Sequence, residues 1–167
     1  MHTDFLKLLE SLTETGLEFV IVGGVAARLY GNPRLTHDID IVPRFEAESW
    51  AHAIDALWNA GARPRIPEPR ERVRDVNQVA RWISEKGMLA LSFRSLEGLV
   101  EIDFLVGEAD RFAELRQRAI RVEIDRNVFW VAHIDDLIEL KLRAGRPQDL
   151  LDVDALRQIK KRTERAE

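Results

Sequence analysis

Asp38-Ile39-Asp40-Ile41-Val42 puts two acids into a segment that otherwise reads as a buried strand, ended by Pro43. Side chains alternate along a strand, so both carboxylates lie on one face, with Cα atoms about 6–7 Å apart. Ile39, Ile41 and Val42 argue for a central strand over an exposed polar edge. Adjacent carboxylates repel, and burying them without compensation is costly. Divalent cations are the natural compensation, and Mg²⁺ is typically held by one or two carboxylates plus substrate phosphates. The segment Val100-Glu101-Ile102-Asp103-Phe104-Leu105 repeats the pattern, with Glu101 and Asp103 sharing a face. Asp103 is the better candidate, since Glu101 lies nearer the strand start. A neighbouring strand that brings Asp103 beside Asp38 and Asp40 makes a two-metal site for phosphoryl or nucleotidyl transfer.

Upstream, residues 18–22 read as a buried strand ended by Gly23-Gly24, and Val25 to Tyr30 as a short helix stopped by Gly31, Asn32 and Pro33. Glycines at such a turn let backbone approach a ligand closely, and a helix start attracts phosphate. A plain strand–helix turn that needs positive φ is the better explanation of an isolated Gly-Gly. Helical spacing also marks 4–14 (Phe5, Leu8, Leu9, Leu12), 46–60, 73–83, 108–118, 134–144 and 148–160. Strands are expected at 88–93 and 99–106, joined by a turn at Arg94–Gly98, and in a hairpin at 120–124 and 128–131. Residues 62–70 (ARPRIPEPR) read as a proline-rich loop. Interleaved strands and helices with at least two hairpins predict an α/β (α+β) fold, a mixed sheet packed by helices and not a doubly wound parallel one.

The 167 residues suit one domain able to bury a core without staples. We expect a core over 1–132 with a helical segment, 133–167, packed on it. The absence of cysteine excludes disulfides, thiolate zinc sites and cysteine nucleophiles, and fits a reducing compartment such as the cytoplasm. No apolar run approaches the roughly 20 residues that span a bilayer, so no membrane partner is expected. Asp4, Glu10 and Glu14 make the first segment an amphipathic helix and not a signal peptide. A net charge of −4 means that a nucleic-acid partner would need a local basic patch.

Together, these residues resemble a known signature. Val22 to Ile41, VGGVAARLYGNPRLTHDIDI, resembles that of the polymerase-beta-like nucleotidyltransferase superfamily: Gly-Gly or Gly-Ser, a short helix, then Asp-apolar-Asp, with thirteen residues here between Gly24 and Asp38. Asp103 stands where the third carboxylate of that superfamily would. Residues 136–153, DLIELKLRAGRPQDLLDV, resemble the Lys…Arg…Asp-x-x-Asp segment of the AbiEii-type subgroup, which includes type IV toxin–antitoxin nucleotidyltransferases. The resemblance implies that Gly23 and Gly24 hold a nucleoside triphosphate. It implies that Asp38, Asp40 and Asp103 bind Mg²⁺, two ions with Mn²⁺ as the alternative, and that Asp103 helps activate the attacking hydroxyl. Lys141 would face phosphate or the attacking group, with Asp149 holding or tuning it; Arg146 and Asp152 rank lower. Arg34 and Thr36 would contact phosphate or support the acids.

The activity implied is transfer of a nucleoside monophosphate to a hydroxyl, of the tRNA 3′ end or of a protein, with an antitoxin as partner. Two alternatives share these residues: a small-molecule (antibiotic) nucleotidyltransferase, and a degenerate nucleotide- or partner-binding module. Three acids and two glycines argue against decay.

Outside those segments, Arg63, Arg65, Arg70, Arg72, Arg74 and Arg81 face only Glu68, Glu71 and Asp75 in their stretch. They read either as a phosphate clamp or, more simply, as a solvated face with local ion pairs. Trp82 and Trp130 could stack on a base but fit core positions better. His37, alone beside a strand, reads as structural, and the scattered His2, His52 and His133 form no zinc spacing.

Overall fold

The computed structural model describes residues 2–95 and 100–165, with side chains from residue 6 onward. Phe5 and His2 therefore have no described side chain, and most of the expected Arg94–Gly98 turn lies outside the described residues. Among the described residues, no helix is long and apolar enough to cross a membrane.

A seven-stranded mixed sheet runs in the order β3-β4-β5-β2-β1-β7-β6. Its strands are β1 (Phe19–Val22), β2 (Asp38–Pro43), β3 (Arg63–Pro64), β4 (Leu91–Arg94), β5 (Glu101–Phe104), β6 (Ile120–Ile124) and β7 (Asn127–Val131). All four residues of β1 are buried, so the most apolar run of the chain becomes a central strand. β2 lies antiparallel to β1 and parallel to β5, whereas the β4–β5 and β6–β7 pairs are antiparallel. The mixed sheet expected from the element order is therefore present.

The helices are α1 (His2–Glu14), α2 (Gly23–Leu29), α3 (Ala47–Asn59), α4 (Arg70–Arg74), α5 (Val76–Lys86), α6 (Phe112–Arg118), α7 (Ile134–Ala144) and α8 (Pro147–Glu164). On the core face of the sheet, the Trp50 ring meets Phe104 edge-on at 5.3 Å, and Phe104 meets Phe93 at 5.9 Å. Trp50 is fully buried yet satisfied, because its indole N–H donates to the Val73 carbonyl at 3.0 Å. Truncating such an anchor to alanine costs about 3–5 kcal/mol.

Several boundaries differ from those the sequence predicts. α2 begins at Gly23 and not Val25, so both glycines are helical residues. The single helix expected over 73–83 is two, because Asp75 ends α4 and caps α5, its carboxylate accepting from the Asn77 amide. The proline-rich stretch contains β3, a two-residue edge in which Pro64 needs no donor on the solvent side. The strand expected over 88–93 begins only at Leu91. The one over 99–106 is reduced to Glu101–Phe104, with Leu99 outside the described residues. The first turns of the helix expected from 108 are a 3₁₀ segment, Val106–Arg111. α7 ends on Gly145 in the left-handed conformation, and α8 opens on Pro147, where a missing N–H costs nothing.

Candidate active site

Strand pairing brings the predicted acids together. In the parallel β2–β5 register Asp40 is the partner of Asp103, and Asp38 of Glu101. All four side chains thus lie on one sheet face, opposite the buried Ile39, Ile41, Ile102 and Phe104. Glu101 is neutralised, since Arg65 donates to it at 2.8 Å and Arg94 at 3.1 Å, and these hold its carboxyl low against the opposing effect of burial. The other three acids have no such partner. Burial, then the nearby Asp103 charge, pushes Asp40 up to about 6, against the pull of the Gly24 N–H donating at 3.4 Å. Burial also raises Asp103, opposed by Ser92, its cross-strand neighbour in β4. One oxygen of Asp103, Oδ1, is buried without any hydrogen-bond partner.

Gly23 packs against these acids. Its φ is +64°, and a Cβ there would lie 1.8 Å from Asp40 Oδ2, so no other residue fits. A Cβ on Gly24 would lie 2.7 Å from Thr36 Oγ1, which itself donates to the Asp38 carbonyl at 3.3 Å. The glycines thus pack the start of α2 directly against the strand that carries the acids.

Across the cleft, charges alternate and are paired. Asp152 on α8 is buried and accepts from three residues: Lys141 Nζ at 2.6 Å, Arg34 Nε at 2.9 Å and Nη2 at 3.0 Å, and Asn32 Nδ2 at 3.0 Å. Burial alone would raise the Asp152 carboxyl, but these donors hold it below the ordinary carboxylate range. Lys141 is itself buried and lies 3.7 Å from Asp149. The nearer partner of Lys141 is therefore Asp152 and not Asp149. Asp149 instead caps α8, accepting from the Arg146 guanidinium at 2.7 Å and its backbone N–H at 3.3 Å. In the sequence Asp152 ranks low and Asn32 reads only as part of a helix stop. The i, i+3 spacing from Asp149 was the available signal, but it fits a surface ion pair equally well.

A cleft of about 880 Å³ lies between these two walls, and Gly23, Gly24, Arg34, Thr36, Asp38, Asp40, Asp103, Lys141, Arg146 and Asp149 all line it. An apolar wall that the sequence did not reveal completes it, formed by Leu89, Ala90, Leu105, Leu137 and Leu140.

No three acidic or histidine side chains among the described residues close into a ready-made metal cage. The donor set nonetheless fits a hard cation. Three carboxylates share a face, one buried oxygen is unbonded, and Mg²⁺ commonly completes its shell with substrate phosphates.

The arginine-rich stretch is spent locally. Arg63 donates to the Trp58 and Ala62 carbonyls, Arg65 to Glu101, Arg70 and Arg74 to Asp55, Arg72 to Glu68 and Arg81 to Gln78. None of the six lines the cleft. Trp82 is buried and Trp130 carries Arg116 over its ring, so neither lines the cleft.

The family model for the AbiEii toxin nucleotidyltransferases of type IV toxin–antitoxin systems matches residues 6–167. No curated protein matches the chain. Among solved structures, the lincosamide antibiotic adenylyltransferase LnuA with lincomycin bound is similar at TM-score 0.64 and 14% identity, over 95% of this chain and 98% of that one. An antigenic nucleotidyltransferase-like protein from Paracoccidioides brasiliensis is similar at TM-score 0.55 and 16% identity, over 89% of this chain and 71% of that one.

Proposed function

The chain belongs to the AbiEii nucleotidyltransferase family, and from that premise we propose that it transfers a nucleoside monophosphate from an NTP to an acceptor hydroxyl in a divalent-metal-dependent reaction. The observation that carries this reading is the uncompensated charge at Asp40 and Asp103, with Asp103 Oδ1 buried and unbonded beside a glycine turn. Asp38, Asp40 and Asp103 would hold Mg²⁺. Bound there with the triphosphate oxygens, that ion would offset the charge gathering at the α-phosphate and on the leaving pyrophosphate.

The chain's own residues do the rest. Gly23 and Gly24, which leave no side-chain bulk at the start of α2, let the triphosphate approach the backbone. Lys141 and Arg34, pinned by Asp152, present positive charge to the phosphates without a search through rotamers. Asp103 would complete the metal site and help activate the attacking hydroxyl. The tRNA 3′ end is the first acceptor to test, because the family is that of type IV toxins. The same family points to an antitoxin as the protein partner, and we place the enzyme in the cytoplasm.

The test is transfer of label from the α-phosphate of each NTP, with Mg²⁺, to total tRNA and to the protein itself. Label in tRNA with one preferred NTP is expected. Label confined to protein would redirect the acceptor, and substantial labelling by Asp38→Asn would remove the metal-site assignment.

A further inference from the structure

The sheet has two ends, and they differ. β3 at one end is two residues long and contains a proline. β6 at the other end is five residues long, pairs with β7, and has no described strand on its outer side. The β6–β7 hairpin is closed by the two-residue turn Asp125-Arg126, which makes Ile124 the partner of Asn127. In such a hairpin the residues at 124, 122 and 120 exchange backbone hydrogen bonds with β7. The N–H and C=O groups of Arg121 and Glu123 therefore face outward.

Natural sheet edges discourage pairing with like charges, which repel a second copy. β6 carries the opposite device. Ile120-Arg121-Val122-Glu123-Ile124 is symmetric about Val122 in its apolar positions and antisymmetric in its charges. We propose that β6 is a homodimer edge, pairing antiparallel with β6 of a second copy across a two-fold axis at Val122.

In that arrangement Arg121 faces Glu123 of the second copy, and the reciprocal pair forms by symmetry. These are the residues whose backbone groups are free, so the charge pairs coincide with the hydrogen-bonded pairs. Ile120, Val122 and Ile124, half-buried in the single chain, meet their counterparts on the core face. Other alignments are penalised: a parallel pair sets arginine against arginine, and a one-residue slip sets charge against aliphatic. Within one chain Arg121 and Glu123 are exposed and 3.5 Å apart, so pairing exchanges one solvated partner for another at little desolvation cost. β1 and β7 stand between β6 and the acid-bearing β2, which leaves both clefts open.

Sedimentation velocity on the full chain over a concentration series tests this. The unaltered protein is expected to show a monomer–dimer equilibrium. Arg121→Glu and Glu123→Arg, each alone, should raise the dissociation constant about tenfold or more, because each sets like charges opposite one another. An equimolar mixture of the two single variants should recover the dimer, and so should the double variant R121E/E123R. Circular dichroism on each variant reports that it is folded. A monomer at the highest soluble concentration would overturn the proposal and leave the edge to a strand from another protein. A dimer that both single variants retain, or a mixture that fails to associate, would equally overturn it.

Discussion

On the sheet side of the cleft, Asp38, Asp40 and Asp103 carry one sign of charge without a basic partner, and burial holds Asp40 and Asp103 partly toward the neutral form. On the helical side, Arg34, Lys141, Arg146, Asp149 and Asp152 carry both signs and are paired, with Asp149 and Asp152 held low. Both walls bury charge, but they answer different needs. Unpaired charge marks where a ligand must supply the counter-charge. Paired charge marks geometry fixed before any ligand arrives.

The largest expected effect tests that contrast through activity. Asp40→Asn should reduce label transfer to background while circular dichroism and melting show an intact fold. On the other wall the weight falls on stability. Asp152→Ala leaves Lys141 buried without its nearest partner and should cost about 3–5 kcal/mol in urea unfolding. If Asp152→Ala melts like the unaltered protein, the helical wall is no frame at all.

A pH series sharpens the comparison. Asp40 moves from 3.8 to about 6 on folding, so the folded state binds its proton more tightly. Without metal, stability from this group is present below pH 4 and lost as pH rises from about 4 to about 6. The loss is on the order of 2 kcal/mol, allowing for partial solvent screening. Asp149 and Asp152 act in the opposite direction. They contribute above pH 4, and the contribution is lost as pH falls through their depressed folded values. Asp40→Asn should flatten the first slope and leave the second; the measurement is urea unfolding at each pH in a chelator. The smallest effect belongs to the surface arginines. Arg72→Ala, which breaks a half-exposed pair with Glu68 and removes the guanidinium 5.6 Å from the Trp82 ring centre, should change stability by about 1 kcal/mol and leave transfer unchanged.

How much of this was legible depended on the range of the interaction. Asp38 and Asp40 could be read because a strand's alternation is local, and Asp103 because an acid inside an apolar strand is rare enough to stand out. The mixed sheet followed from element order. Asp152 ranks too low in the sequence, because its partners Asn32 and Arg34 come from a loop far back in the chain. The apolar wall of the cleft was hidden for a similar reason: Leu89 reads as an ordinary strand residue and Leu140 as an ordinary helix residue until the fold sets them beside the acids. Boundaries failed where one residue did two jobs. Asp75 ends one helix and begins the next, and Gly23 both turns the chain and starts α2.

The reach of Asp152 also sets an order of events. It lies 118 residues after Arg34 and 120 after Asn32. During synthesis all three acids and both glycines leave the ribosome long before it does. Until α8 emerges, the segment carrying Arg34 and Asn32 lacks its anchor and Lys141 its counter-charge. A nascent chain stopped short of Asp152 holds Asp38, Asp40 and Asp103 but not the brace that shapes the opposite wall. The ribosome therefore delivers the reactive parts before the clasp, so a copy halted between the two is an unassembled one.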